Sequence, residues 1–128
     1  MDNNELTQHL KTLQTDLSNV DFLNVILERL DKNPPRAERS LLEAWLMVCA
    51  VYDPDGVAKY WEPILYGEDP FQGEVAALKL SALARLKPSG LAYRLLAEYL
   101  GQEPAEDKIR DILKLRFQRL FPGHEEDQ

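Results

Sequence analysis

The region from Asp53 to Leu120 consists of two consecutive 34-residue blocks with the same pattern of helix-breaking residues. Seven positions are identical between the blocks, where ordinary composition gives about two or three. The identical pairs are Pro54/Pro88, Gly56/Gly90, Ala58/Ala92, Gly67/Gly101, Pro70/Pro104, Arg85/Arg119 and Leu86/Leu120. Apolar residues also recur between the breakers, as Trp61 and Leu95 do. We therefore interpret each block as one helical hairpin of a repeat.

The segments before the repeat also have helical patterns. Leucines spaced four, three and four residues apart predict a helix over about residues 4–17, capped by Asn3 or Asn4. These leucines are Leu6, Leu10, Leu13 and Leu17. A second helix is predicted over about residues 20–31, because the following Asn-Pro-Pro sequence stops a helix.

The third predicted helix, about residues 36–52, is polar for one turn and then apolar on every side. A helix without a polar face is expected in the middle of a protein, covered on several sides. We therefore predict that Trp45, Leu46, Val48 and Cys49 form the centre of the core. Leu23 and its neighbours fit the 34-residue register one step earlier, so the first hairpin is interpreted as a degenerate third copy.

The helix-breaking residues in the two blocks predict four further helices. The fourth begins near Asp53 or Asp55 and is expected to kink or end early at Pro63. The fifth covers about residues 72–86, the sixth runs from a Ser89 cap to Leu100, and the seventh covers about residues 105–121.

The predicted fold is all-α, with about seven helices and no strand, arranged as a right-handed array of stacked antiparallel hairpins. One domain is expected over residues 1–123, with hairpins at about 20–52, 53–86 and 87–120. Residues 124–128 are expected to form a solvated acidic tail.

The charge balance restricts the partners. Fifteen Lys and Arg residues against 22 Asp and Glu residues give a net charge of −7, without a dense basic cluster. This composition argues against binding to nucleic acid or anionic lipid. The longest apolar run, Ala44 to Tyr52, is about half the roughly 20 residues of a membrane-spanning helix. With a lone cysteine and no secretory signal in its first residues, the chain is expected in the cytoplasm.

No pattern in the sequence predicts catalysis, a cofactor or a metal site. His9 and His124 lie near opposite ends and outside any ligand spacing. Cys49 has no histidine near it in sequence and is interpreted as a buried small hydrophobe. The acidic residues lie at loops and first turns, where carboxylates cap helices. Gly56 and Gly90 do not belong to a phosphate-binding loop.

The 34-residue blocks resemble the tetratricopeptide class of helical-hairpin repeats. Placing Val57 at the first position puts Ala76 and Pro88 where that motif has its small residue and terminal proline, whereas Ile64 occupies its usual glycine. The stretch EVAALKLSALARLKPSGLAYRLLAEYL also resembles a HEAT-type helix–turn–helix unit. Over about residues 20–120 the resemblance implies a stack with a concave binding surface and no catalytic residues.

In its size, acidic balance and short repeats, the chain is also similar to the small acidic helical-repeat chaperones of type III secretion systems. Those chaperones hold the amphipathic helix of a secreted subunit in the cytoplasm.

The sequence is compatible with three functions. The first is a binding module, an adaptor or chaperone that holds a protein or amphipathic peptide segment on the first helices of its hairpins. Its predicted binding residues are Phe22, Val25, Ile26, Lys59, Tyr60, Tyr93 and Arg94. Alternatively, the first helix covers Phe22 and Ile26 as a cap. The second function is a structural subunit that assembles through the N-terminal leucine stripe, and self-association is included among the partners. An enzyme is the third.

Overall fold

The computed structural model describes residues 2–124, which form seven α-helices and one short 3-10 helix, with no strand in that range. The α-helices are α1 (Asn3–Asp16), α2 (Asn19–Asp31), α3 (Arg36–Cys49), α4 (Pro54–Leu65), α5 (Pro70–Leu86), α6 (Leu91–Leu100) and α7 (Ile109–Leu120). The predicted all-α fold of seven helices is confirmed. Of the predicted acidic tail, only His124 lies among the described residues.

The helices group into two compact units, with the boundary between Tyr52 and Asp53. The same position was predicted as the boundary between the first two hairpins. The single domain over residues 1–123 stays a prediction.

In the first unit, α1 packs against both α2 and α3. Asp2 caps α1 by accepting a hydrogen bond from the Glu5 amide at 2.8 Å, so the cap lies one residue before the predicted Asn3. The stripe of α1 is buried at Leu6 and Leu10 and half-buried at Leu13 and Leu17. The predicted leucine stripe therefore lies inside the unit that contains it.

Helix α3 differs from its prediction in length and in burial. It ends at Cys49, and its buried stripe consists of Leu42, Leu46 and Cys49, spaced four and three residues apart. Trp45 is only half-buried, with its ring 5.8 Å from that of Phe22, and Val48 is 47% exposed. The prediction is confirmed for Leu46 and Cys49 and wrong for Trp45 and Val48. Within this unit α1 and α2 cover one side of α3 and leave the opposite side uncovered.

The second unit is built around α5, which packs against α4, α6 and α7. Its buried residues include Ala76, Ala77 and Ala84, whose small side chains let neighbouring helices approach closely. The remaining buried residues of α5 are Gly73, Glu74, Leu78, Leu80, Ser81 and Leu83. This helix therefore has neighbours on most of its circumference.

The helices of the two sequence blocks pack differently in the second unit. Helices α4 and α5 are joined by a short turn and pack side by side, whereas α6 and α7 make their extensive contacts with α5 rather than with each other. A longer connection, which includes the 3-10 helix Glu106–Lys108, separates α6 from α7. The repeated breakers thus determine where helices start and end, but not which helices become neighbours.

One helix end departs from the sequence prediction. Pro63 lies inside α4, which ends two residues later at Leu65, so the predicted early end is compatible with the structure. Gly90, rather than Ser89, is the N-cap residue of α6. Gly101 ends α6 as predicted, with φ of +71°, a conformation that glycine adopts without strain.

An aromatic cluster joins the start of α5 to the end of α7. The centre of the Phe71 ring lies 5.5 Å from the ring centre of Phe117, 5.1 Å from that of Phe121 and 5.5 Å from that of His124. Aromatic pairs at these distances stabilise beyond the area that they bury.

We predict that Leu46→Ala lowers the free energy of unfolding by about 2–5 kcal/mol, because it leaves a cavity at a fully buried position. Val48→Ala, two residues further along the same helix, should lower it by less than about 1 kcal/mol, since Val48 is exposed. Chemical denaturation followed by far-UV circular dichroism measures both. Equal losses in the two variants would contradict the assignment of the buried face.

Candidate functional site

Two of the predicted binding residues are not on the surface. Phe22 is 1% exposed and Ile26 is fully buried. Both lie on the face of α2 that points into the first unit, where α1 packs against α2 and the Phe22 ring contacts Trp45. Their assignment to an exposed groove was wrong, because the apolar arc of α2 is wide enough to face more than one neighbouring helix. The burial agrees with the alternative in which the first helix acts as a cap.

The other predicted binding residues are at least partly accessible. Val25 is half-buried in the first unit, while Lys59 on α4 and Arg94 on α6 are exposed in the second. Helices α4 and α6 pack against each other, so the structure brings these two elements together. The role of these residues in binding stays a prediction.

The two tyrosines of the predicted surface already have partners in the second unit. The Tyr60 ring lies 4.9 Å from that of Trp61 in an edge-to-face arrangement. The Tyr93 hydroxyl donates a hydrogen bond to the Pro104 carbonyl oxygen at 2.9 Å and so ties α6 to the segment that follows it. Both side chains are half-buried, which reduces the area that they offer to a ligand.

The main buried charge of the second unit is Glu74 on α5, which is 2% exposed. Both of its carboxylate oxygens accept from Nε of Arg116 on α7, at 3.0 and 2.9 Å. One of them also accepts a hydrogen bond from the Tyr99 hydroxyl on α6. The Arg116 guanidinium lies over the Tyr99 ring, 5.0 Å from its centre. One carboxylate therefore joins three helices.

This cluster is structural in character. The hydrogen bonds of Glu74 are directed to its own unit, and burying a carboxylate is costly unless it has such partners. The sequence gives no local signal for it, because Glu74 and Arg116 are 42 residues apart.

A second polar contact joins α4 to α6. The Asp55 carboxylate lies 2.6 Å from the Lys87 ammonium and accepts a hydrogen bond at 3.0 Å from the amide of Leu91, the first residue of α6. It thereby caps α6 from another helix. A Cβ atom at Gly90 would lie 2.9 Å from the same carboxylate, so a larger residue there would push the carboxylate away from the Leu91 amide. Lys87, followed by the Leu91 amide, holds the pKa of Asp55 below its usual range.

Cys49 has the properties of an unreactive thiol. It is fully buried and unpaired, and burial raises the pKa of the thiol despite a hydrogen bond with Tyr52. A thiol with a raised pKa carries little thiolate at neutral pH and is a poor nucleophile. In residues 2–124, no group of three or more His, Cys, Asp or Glu side chains is placed to hold a metal ion.

The uncovered side of α3 forms a surface that the sequence analysis did not propose as a binding site. We call it the exposed α3 stripe, and it consists of Ala37, Ser40, Ala44, Val48 and Val51. These residues are spaced three or four apart, so they follow one face of the helix and of the turn after it. All five are exposed, Val48 by 47% and Val51 by 78%.

The exposed α3 stripe contains no charged residue, although 29% of the chain is charged. The charged side chains of α3 lie at other helical positions, and half-buried Leu41 and Met47 flank the stripe. A solvent-facing helical surface normally carries the charges. The exposed Leu115 on α7 shows the ordinary case, since Asp111 and Arg119 lie one turn away on either side. We therefore take this uncharged and mostly apolar surface as the candidate binding site.

A signal for this site was present in the sequence. The stretch from Leu41 to Tyr52 is apolar on every side, and we interpreted this as burial within the protein. The same pattern is expected when one side of a helix packs within its own unit and the other side binds a partner. Periodicity alone does not distinguish these cases.

Comparisons with protein-family models, curated proteins and solved structures found no match to this chain. Over residues 2–124, none of the helices is both long and apolar enough to cross a membrane.

We predict that Arg116→Met lowers the free energy of unfolding by about 2–3 kcal/mol, because it leaves a charged carboxylate buried without its cation. Arg119→Met, an exposed position on the same helix, is the matched control and should have an effect within about 0.5 kcal/mol. Adding Glu74→Gln to Arg116→Met should recover part of the loss. Urea unfolding measures all three, and equal stability of the two arginine variants would exclude the proposed role of Glu74.

The Asp55 contact should make stability depend on pH. Because the folded pKa is lowered, its stabilisation is fully present above the ordinary aspartate pKa of about 3.9 and is lost as the pH falls through the folded value. Asp55→Asn should therefore be less stable than the wild type at pH 7, by up to about 1 kcal/mol for a pair this exposed.

Urea midpoints at pH 7 and at successively lower pH values check this prediction. The difference between wild type and Asp55→Asn should shrink below about pH 4. Lys87→Met breaks the same pair from the other side and should show the same trend. A difference that grows as the pH falls would contradict the assignment.

Proposed function

We propose that this chain is a non-catalytic protein-binding module that holds a helical segment of a protein partner on the exposed α3 stripe. The observation that carries the proposal is the uncharged, solvent-facing surface of α3 on a chain with a net charge of −7. Burial of Val48, Val51 and the flanking apolar side chains would supply the driving force. An adaptor or a chaperone would use such a surface.

The chemistry of the surface specifies the partner. The stripe presents small residues, Ala37, Ser40 and Ala44, followed by the larger Val48 and Val51. Small residues allow a second helix axis to approach closely, and the valines are anchors for its apolar side chains. Because the stripe has no charge, the complementary face of the partner should also be apolar at its centre.

The resemblance to helical-hairpin repeats supports the same class of function, since such repeats bind protein segments. The alternative is a structural subunit that assembles through α1. The burial of Leu6 and Leu10 argues against it. An apolar stripe that already packs within its own unit has little area left for another chain.

We predict that Val48→Glu abolishes partner binding and that Leu115→Glu preserves it. Both changes place a carboxylate at an exposed apolar position, but only Val48 lies in the exposed α3 stripe. Wild type and both variants are first used to capture proteins from cells that produce the chain. A captured protein is a candidate partner if the wild type and Leu115→Glu retain it and Val48→Glu does not.

Each candidate is then purified and titrated by isothermal calorimetry. The proposal expects binding at least about tenfold weaker for Val48→Glu than for Leu115→Glu, because the introduced carboxylate would be buried without a partner. Far-UV circular dichroism checks that both variants are folded. Equal binding by the two variants for every candidate would overturn the proposal.

A further inference from the structure

Helices α4 and α6 of the second unit run side by side in the same direction. At their starts, the Asp55 carboxylate accepts a hydrogen bond from the Leu91 amide at 3.0 Å. At their ends, the ring centres of Tyr66 and Tyr99 lie 6.2 Å apart. Because an α-helix carries partial negative charge at its C-terminal end, this arrangement places two negative ends next to each other.

Each of these two helix ends also carries a glutamate. Glu62 lies in the last turn of α4 and Glu98 in the last turn of α6, both exposed, and neither last turn contains a basic residue. The basic residues of these helices, Lys59 and Arg94, come before the last turns. The two glutamates are exceptions to the predicted placement of acidic residues at loops and first turns. The helix dipole favours a cation at a C-terminal end, so the fold leaves both carboxylates in an unfavourable position.

A partly exposed tyrosine lies between the two carboxylates. Tyr66 ends α4 one turn after Glu62, and its ring packs edge-to-face with that of Tyr99, which directly follows Glu98. Partial burial, followed by the charges of Glu98 and Glu62, raises the pKa of the Tyr66 hydroxyl, so both carboxylates act on this side chain. Tyr66 is nevertheless 51% exposed. We call Tyr66, Glu62 and Glu98 the Tyr66 site.

The neighbouring tyrosine already holds a guanidinium inside the second unit. The Arg116 guanidinium lies 5.0 Å from the centre of the Tyr99 ring, and Glu74 accepts a hydrogen bond from its Nε at 2.9 Å. The Tyr66 site offers the same two elements, a tyrosine ring and carboxylates, at the surface. A guanidinium suits both, because its flat group stacks on a ring while its N–H groups reach carboxylate oxygens.

We propose that the Tyr66 site binds an arginine side chain in a basic segment of a protein partner. A guanidinium over the Tyr66 ring would be attracted by Glu62, by Glu98 and by the negative ends of both helices. Charge complementarity selects such a segment, because the chain has a net charge of −7 and the fold concentrates negative charge here. The exposed α3 stripe is uncharged and belongs to the first unit, so this proposal does not depend on the function proposed for that stripe.

The probe is the peptide acetyl-Gly-Arg-Gly-amide, and its matched control contains citrulline, which has nearly the shape of arginine but no charge. Each peptide is titrated into the isotopically labelled full chain and followed by heteronuclear NMR. A single arginine at an exposed site binds weakly, so a dissociation constant on the order of 1 mM or above is expected. The arginine peptide should shift the amide signals of Tyr66, Gly67 and Glu98 in a saturable manner, and the citrulline peptide should not.

Variants of the two glutamates test the charge. Glu62→Gln/Glu98→Gln should weaken binding of the arginine peptide at least about threefold, because it removes both ion pairs. Glu5→Gln/Glu28→Gln is the matched control, since it removes the same charge at two exposed positions of the first unit and should leave the affinity unchanged. Val48→Glu should also bind the peptide as the wild type does, which separates this test from that of the exposed α3 stripe.

Variants of the tyrosine test the ring. Tyr66→Phe keeps the aromatic face and should retain binding, whereas Tyr66→Leu removes it and should weaken binding at least about twofold. Far-UV circular dichroism checks that each variant is folded. If Tyr66→Leu does not fold, the exposed glutamates alone decide the outcome.

Localised shifts that need the arginine charge, both glutamates and the ring support the proposal. Equal shifts with the citrulline peptide would overturn it, and so would equal weakening by Glu62→Gln/Glu98→Gln and Glu5→Gln/Glu28→Gln, which would indicate general attraction to an acidic chain. Undiminished binding by folded Tyr66→Leu would exclude the role of the ring. Tighter binding of Ca²⁺ than of the arginine peptide at the same signals would assign the site to a metal ion and contradict the proposal.

Discussion

Each helix of this chain must bury one apolar stripe, and the structure depends on how many neighbouring helices are available to cover it. Helix α5 is covered by α4, α6 and α7, so most of its circumference is buried. Within the first unit, α3 is covered by α1 and α2 along a single stripe, although the sequence from Ala44 to Tyr52 is apolar on every side. Because apolar area in water raises the free energy of the chain, the uncovered side of α3 is the surface on which we propose that a partner binds.

Polar contacts specify how the helices of the second unit are arranged. A buried carboxylate is costly unless it is neutralised, so Glu74 is compatible only with arrangements that bring Arg116 and Tyr99 to it. Asp55 acts similarly for α4 and α6, because its carboxylate supplies the cap that Gly90 lacks. Hydrophobic packing permits several arrangements of similar helices, and these two carboxylates select among them.

The function that we propose for this arrangement is the binding of a protein partner. The buried Cys49 and the paired Glu74 have their partners inside the units, where they stabilise the fold. The exposed α3 stripe, in contrast, has apolar side chains in contact with water. Its combination of small residues, valines and no charge fits the proposed contact with a second helix.

The sequence by itself determined the helices, because their periodicity and breakers are local properties. Leucine spacing in α1, the Asn-Pro-Pro sequence after α2 and Gly101 after α6 all act within a few residues of the chain. The burial of Leu46 and Cys49 was predicted for the same reason. Only the tertiary structure decided which face of an apolar helix is covered, as Phe22 and Ile26 on α2 and Val48 on α3 demonstrate. It also decided that Glu74 meets Arg116 and that Asp55 caps α6, because these partners are 42 and 36 residues apart and no local pattern encodes contacts made by packing between helices.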